Sequence, residues 1–238
     1  MAENGQIRIA LAGNPNCGKT TMFNNITGAK QHVGNYPGVT VEKKEGHTSF
    51  DGHELLFIDL PGTYSLTARS LDELVARNVI VNDNPDVIVN VLDASNLERN
   101  LYLAAQLLEL EKPMVIALNM SDVAEDMGIK YDIKKMSELT GATIVSTVGR
   151  TNVGTKELLE ATINVAASQQ APGVTINYGD LLEGKIAELV EALKKSGTVT
   201  YPLRWIAIKL LEKDADVIGK VMRFDNTEAV IQKAEAIR

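Results

Sequence analysis

The sequence predicts an α/β fold with a mostly parallel six-stranded sheet, followed by a small all-helical domain. Three observations predict it. Short apolar runs alternate with longer amphipathic segments from Ile7 to about Ser168. A glycine-bearing turn, Gly13-Asn14-Pro15-Asn16-Cys17-Gly18-Lys19-Thr20, joins the first apolar run to the first amphipathic one. Beyond Gln169-Gln170-Ala171-Pro172-Gly173 the strand-like runs give way to helical spacing.

In chain order, the expected strands are Ile7–Ala12, Gly46–Phe50, Leu55–Asp59, Val87–Leu92, Met114–Asn119 and Thr143–Ser146. Asp51-Gly52 tolerates the positive φ of a tight hairpin, so the second and third are antiparallel neighbours. The remaining connections carry helical patterns at Lys19–Thr27, Leu71–Val81, Leu97–Leu110, Ile133–Thr140 and Thr155–Ala167, so they cross over and leave parallel strands. The first domain is expected over residues 1–170 and the helical one over 174–238. In the latter, Leu181, Leu182, Ile186, Leu189, Val190 and Leu193 form one apolar stripe at three- and four-residue spacing. Gly197 ends that helix, Pro202 opens the next, and Ile206, Leu210, Leu211, Val217, Ile218 and Val221 continue the pattern to a last helix at Thr227–Ile237. Trp205 is expected to anchor this core. Arg238 falls inside a helical pattern with no stop signal, which suggests a fragment of something longer.

Composition narrows the function. Of 238 residues, 45% are hydrophobic and 23% charged, as in a globular protein. Net charge is −7 and the pI near 5.1, which disfavours broad attraction to nucleic acid or anionic lipid. The lone cysteine, Cys17, excludes a disulfide framework and suits a reducing compartment. Met1-Ala2-Glu3-Asn4-Gly5 lacks the layout of a secretory signal, and no apolar stretch approaches the roughly 20 residues that span a bilayer. The chain is therefore expected to be soluble as it stands.

The chemistry lies in five motifs. Gly13–Thr20 has the glycines, lysine and hydroxyl of a phosphate-binding loop. Its glycines let backbone N–H groups turn inward at a helix start, Lys19 supplies charge, and Thr20 offers a hydroxyl to Mg²⁺. Asn14, Pro15, Asn16, Cys17 and Thr21 complete the phosphate contacts. Asp59-Leu60-Pro61-Gly62 ends a strand, where the carboxylate holds the Mg²⁺ shell and the Gly62 N–H meets a terminal phosphate. Asn119-Met120-Ser121-Asp122 ends another, with Asp122 placed to accept guanine's two N–H donors, a pair adenine lacks. Ser146-Thr147-Val148 would bring backbone N–H groups to the guanine oxygen. The Gly- and Pro-bearing stretch Val33–Thr40 reads as a loop that orders or releases, with Gly38, Val39 and Thr40 reaching nucleotide and Mg²⁺. Together the motifs call for GTP, GDP and Mg²⁺.

These motifs, in this order, resemble the Ras-like GTPase superfamily of P-loop NTPases. Gly34-Asn35-Tyr36-Pro37-Gly38-Val39-Thr40-Val41-Glu42, Asp59-Leu60-Pro61-Gly62-Thr63-Tyr64-Ser65-Leu66 and Asp93-Ala94-Ser95-Asn96-Leu97-Glu98-Arg99-Asn100-Leu101 narrow the likeness to the N-terminal cytosolic region of the FeoB family of bacterial ferrous iron transporters. The later helices match that family's guanine-nucleotide dissociation-inhibitor-like domain in length and place.

The resemblance implies a GTPase at the cytoplasmic face of the bacterial inner membrane, regulating or gating Fe²⁺ transport by an attached C-terminal transmembrane domain. Homo-oligomers are compatible with it; nucleic acid and membrane insertion by this segment are not called for. It also implies stimulation by K⁺, with Asn16 and the carbonyls of Gly34 and Tyr36 as ligands. Lys19, Asn16, Thr40 and Gly62 are then the candidate catalytic groups. Two departures from the Ras pattern point to slow turnover. Thr63 stands where a water-orienting glutamine is usual, leaving backbone or Ser65 for that task, and Met120 replaces the lysine of the base-recognition motif. Two other classes compete: a ribosome-assembly or RNA-associated GTPase, against which a second module that is short, helical and not strongly basic argues, and a nucleotide-sensing module with negligible catalysis.

Overall fold

The computed structural model describes residues 5–28, 30–197, 201–224 and 227–238. The Met1–Asn4 stretch inspected for a signal lies outside them. The chain divides into two compact units, Met1–Val174 and Thr175–Arg238.

The first unit is a seven-stranded sheet flanked by helices. Its strands are β1 (Gln6–Gly13), β2 (Gln31–Asn35), β3 (Glu42–Phe50), β4 (His53–Asp59), β5 (Val87–Asp93), β6 (Met114–Asn119) and β7 (Thr143–Ser146), in the order β2-β3-β4-β1-β5-β6-β7. β1 pairs parallel with both β4 and β5, β5 with β6, and β6 with β7; β3 is antiparallel to β2 and β4. The central parallel strands are apolar on both faces, as burial on both sides demands. Ile9, Leu11, Phe57, Val89 and Val115 pack on one face against Met22, Phe23 and Ile26 of α1 (Lys19–Thr27) and Leu158 and Ile163 of α6 (Thr155–Ser168). Alternation turns Ile88 and Leu92 to the opposite face, where α3 (Leu97–Leu108) packs on β5. The chain leaves β1 toward β4 on one side and β5 on the other, so the crevice above β1 is a topological switch point, where open α/β sheets place ligands.

The predicted sheet lacked one strand. Gln31–Asn35 pairs antiparallel with residues 42–46 of β3, Gln31 opposite Gly46 and Asn35 opposite Glu42, so the Val33–Thr40 stretch read as a loop begins as an edge strand and only then turns. The Asp51-Gly52 hairpin forms as its residues require, with φ of 48° and 77°. The predicted Leu71–Val81 helix is α2 (Leu71–Asn78), capped by Ser70 and followed by a wider π turn over Val79–Asp83. Asn84 then leaves the helix in a left-handed conformation, which asparagine tolerates better than most residues. α4 (Ser121–Asp126), which periodicity did not suggest, follows β6 directly, and α5 (Ile133–Thr140) is held by Asp132 at its start and Gly141 at its end.

The second unit contains α7 (Asp180–Ser196), α8 (Leu203–Leu211), α9 (Ala215–Val221) and α10 (Glu228–Ile237). Ile186, Leu189 and Leu193 of α7 are buried with Trp205, Ile206, Leu210, Val217, Val221 and Val230. Leu181 and Leu182 depart from the predicted stripe and stand 77% and 43% exposed. The Arg204 guanidinium draws Glu183 toward α8, at 2.7 and 2.8 Å, and this turns the neighbouring leucines away. No helix among the described residues is long and apolar enough to cross a membrane.

Candidate nucleotide site

The phosphate-binding turn runs from the end of β1 into α1. Asn16 and Gly18 both adopt positive φ, 67° and 87°, which reverses the backbone and points its amides inward. Gly18 is required twice over: besides its φ, a Cβ there would fall 2.2 Å from the Asn119 amide nitrogen. Lys19 is buried and paired directly with the equally buried Asp59 at the end of β4. The Leu60 amide donates to the Leu11 carbonyl (3.1 Å) and the Thr63 amide to the Gly13 carbonyl (3.2 Å), fastening the Asp59–Thr63 segment beside the turn.

Three neighbouring cavities follow the ends of these strands. One of about 520 Å³ is lined by Asn14, Pro15, Asn16, Gly18, Lys19, Thr20, Thr21, Gly62 and Met120. A second, of about 270 Å³, shares Lys19, Thr20 and Gly62 with it and adds Asp59, Leu60 and Pro61, together with Val41, Glu42, Lys44 and Asp72. The third, of about 190 Å³, shares Gly18, Thr21 and Met120 with the first and extends to Asn119, Asp122, Val148, Gly149 and Arg150.

Asn119 builds the last of these. Its amide nitrogen donates to the Cys17 carbonyl (2.8 Å), while its oxygen accepts the Gly149 amide (2.9 Å) and the Thr147 hydroxyl (3.3 Å). One buried side chain thus ties the phosphate turn to the loop after β7. Met120 takes a left-handed conformation (φ 58°), after which the Ser121 amide and hydroxyl both donate to the Thr147 carbonyl (3.3 and 3.1 Å). Asp122 Oδ2 is buried and receives no aligned hydrogen bond; the Arg150 Nη2 lies 2.6 Å away as an ion pair.

Several sequence-predicted residues sit elsewhere. Cys17 lies in the core, not in a cavity, and burial pushes its thiol up to about 11, although Lys19 pulls in the opposite direction. Gly38, Val39 and Thr40 line none of the three cavities; Thr40 is exposed, in a turn closed by bonds from the Tyr36 amide to the Val41 carbonyl (3.0 Å) and from the Val39 amide to the Tyr36 carbonyl (3.2 Å). Gly34 is paired within β2, opposite Lys43, and the Tyr36 carbonyl accepts the Val39 amide. The Tyr36 ring is buried, and burial, with Asp59, Glu45 and Asp83 nearby, raises its phenol well above the usual range.

Of the predicted Ser146-Thr147-Val148, Val148 walls the Asp122 cavity together with Gly149 and Arg150, whereas Ser146 lines a separate cavity with residues of α4. Thr63 is buried and lines none of the three cavities at the strand ends, and the Ser65 hydroxyl donates to Glu73 Oε1 (2.6 Å). Burial raises the pKa of Glu73, but hydrogen bonds from Ser65, the Arg69 amide, Thr67 and Ser70 outweigh it and hold the carboxyl below its ordinary value. Sequence reasoning missed Gly149, Arg150 and Lys44, which belong to none of the motifs, and Val41, which lies in the Gly34–Glu42 motif but was given no site role.

For Mg²⁺ the donors fit: Asp59 and Thr20 bring a carboxylate and a hydroxyl, hard oxygen ligands, to the cavity that Lys19 also lines. Thr40, the third expected ligand, is not among them.

Comparison with known proteins agrees with this geometry. The sequence pattern of the family described as Ferrous iron transport protein B matches residues 7–162, and that of the FeoB cytosolic helical domain matches residues 178–238. The chain is 45% identical over 216 residues to an Fe(2+) transport protein A/Fe(2+) transporter FeoB fusion protein of Porphyromonas gingivalis, covering 89% of this chain and 26% of that protein. It is 41% identical over 213 residues to the Fe(2+) transporter FeoB of Escherichia coli K12, covering 88% and 27%. It therefore spans about a quarter of these relatives' length. Among solved structures, an S. thermophilus NFeoB mutant bound to mGDP superposes with a TM-score of 0.89 at 39% identity, over 98% of this chain and 87% of the other. The cytosolic domain of T. maritima FeoB in its GMPPNP form gives 0.87 at 33% identity, over 98% and 97%. With a Ras-like G-domain sheet, a helical unit after it and family matches across both, this chain belongs to the ferrous iron transport protein B family.

Proposed function

We propose that this chain is the guanine-nucleotide-binding, slowly GTP-hydrolysing part of a longer iron transporter, and that it regulates Fe²⁺ passage through an attached membrane domain from the cytoplasmic side. The observation that carries the reading is the continuity of the cleft. A lysine–aspartate pair stands at one end, an acceptor carboxylate with one buried oxygen at the other, and Gly18, Thr21 and Met120 are shared between the phosphate and base cavities.

Each residue has a role in that reading. Asp122 accepts the two guanine donors, and its burial penalises bases lacking them. The inward amides of the Gly13–Lys19 turn hold phosphate oxygens, with Gly62 at the terminal one. Lys19 exchanges Asp59 for phosphate, which frees the Asp59 carboxylate to join Thr20 in holding Mg²⁺. That ion supplies charge neutralisation for phosphoryl transfer when bound. Thr63 is buried where a water-orienting glutamine is usual, and Ser65 donates its proton to Glu73, which supports slow turnover. Asn16 lines the phosphate cavity, which supports a K⁺ dependence through it.

Phosphate release from GTP, measured with Mg²⁺ in KCl and again in NaCl, tests the reading. Slow hydrolysis with GTP and none with ATP supports it, and faster turnover in KCl than in NaCl supports the role of Asn16. Hydrolysis of both nucleotides alike overturns the GTPase assignment, and equal rates in the two salts remove the K⁺ site.

A further inference from the structure

We infer that Arg150 competes with the base for Asp122, and so sets how tightly guanine nucleotide is held and how fast it leaves; this rests on the guanine reading above. Asp122 Oδ2 is buried, and a buried carboxylate oxygen is costly without compensation. Its compensation is the Arg150 guanidinium at 2.6 Å, an ion pair without hydrogen-bond alignment. Arg150 is the one cation among the residues lining this cavity, since Met120 occupies the position where a lysine is usual.

The neighbouring acceptor cannot take Asp122's place. The Asn119 oxygen already accepts the Gly149 amide and the Thr147 hydroxyl, which leaves the Asp122 carboxylate as the side-chain acceptor available to an incoming base. A guanidinium resting on Oδ2 stands where guanine's N–H edge must come. The Asp122 side chain is 25% exposed and that of Arg150 72%, so the arginine returns to water readily while the carboxylate stays. Binding then exchanges one unaligned ion pair for two aligned hydrogen bonds. The arginine lowers affinity because it stabilises the site that the base must open.

Release of a fluorescent GDP analogue, followed by stopped flow for the wild type, R150Q and R150K, tests this. R150Q is expected to slow release and lower Kd by about threefold, in the range of a partly exposed ion pair. R150K is expected to restore the wild-type rate, and the difference should shrink at about 1 M salt. In a D122N background, measured with xanthosine diphosphate, R150Q should change nothing. Release from R150Q as fast as from the wild type or faster, failure of R150K to restore the rate, or an R150Q effect that persists with D122N would each overturn the inference. A wild-type protein that binds no GDP overturns the guanine reading itself, and this is seen before any variant is compared.

Discussion

At the base end of the cleft, Asn119 is buried and fixes the phosphate turn and the loop after β7 with three hydrogen bonds. At the opposite end, Thr40 is exposed in a turn whose backbone bonds, Tyr36 to Val41 and Val39 to Tyr36, run within the turn itself. That turn joins β2 and β3, and β2 is the edge strand of the sheet. An edge strand has hydrogen-bond partners on one side only and can move without disrupting the layers behind it. On the proposed reading, the base-recognition end that must hold one geometry is built into the core, and the segment proposed to respond to a phosphate is hung on the edge. Lys19 and Asp59 stand between these extremes, buried like Asn119 but bonded to each other across the space that phosphate and Mg²⁺ are proposed to share.

The largest effect is expected from Asn119→Ala. It leaves the Gly149 amide, the Cys17 carbonyl and the Thr147 hydroxyl without their partner in a buried place, at about 1–3 kcal/mol for each group left unpaired. A loss of about 4 kcal/mol in urea unfolding, with guanine-nucleotide binding abolished, is the expected outcome; a fully stable variant would show that the base end is not held as described. Next is Lys19→Met, which strands Asp59 as an uncompensated buried charge and should cost about 3 kcal/mol. Lys19→Met combined with Asp59→Asn should recover most of that stability but no nucleotide binding, and a double variant no more stable than the single one contradicts the pairing.

Thr40→Val sharpens the contrast from the other side. An exposed turn residue should leave stability within about 0.5 kcal/mol and leave GDP affinity unchanged, while GTP hydrolysis falls; a change in the unfolding midpoint would mean that the turn is not the loose end. The smallest effect concerns Cys17. Burial raises its thiol to about 11, whereas an unfolded thiol ionises near about 8.5. The stability that comes from keeping it neutral is therefore complete below the unfolded value and is lost as pH rises through the folded one. The urea midpoint of the wild type should drop over that alkaline window more than that of Cys17→Ala, and parallel pH profiles would count against it.

The parts of the site that follow from backbone chemistry were legible in the sequence. The Gly13–Thr20 turn needs glycine where φ is positive, and Asp51-Gly52 needs the same for its hairpin. The central strands announced themselves through apolar runs buried on both faces. β2 did not, because Gln31-His32-Val33-Gly34-Asn35 is largely polar and carries a glycine, with Pro37-Gly38 close behind; pairing with β3, not propensity, makes it a strand. Arg150 was invisible for another reason. Its role depends on a long side chain crossing from one loop to a carboxylate 28 residues earlier, and no spacing rule encodes that. Leu181 and Leu182 fit the helical stripe by count, but the pull of Arg204 on Glu183 sets the face of that first turn.

The guanine pocket is the claim on which the remainder depends, and calorimetric titration with Mg²⁺ tests it most directly. GDP is expected to bind at least about 100-fold more tightly than ADP, in keeping with discrimination by an unpaired buried group, and Asp122→Asn is expected to transfer that preference to xanthosine diphosphate. Equal heats for GDP and ADP, or guanine preference unchanged in Asp122→Asn, would contradict it.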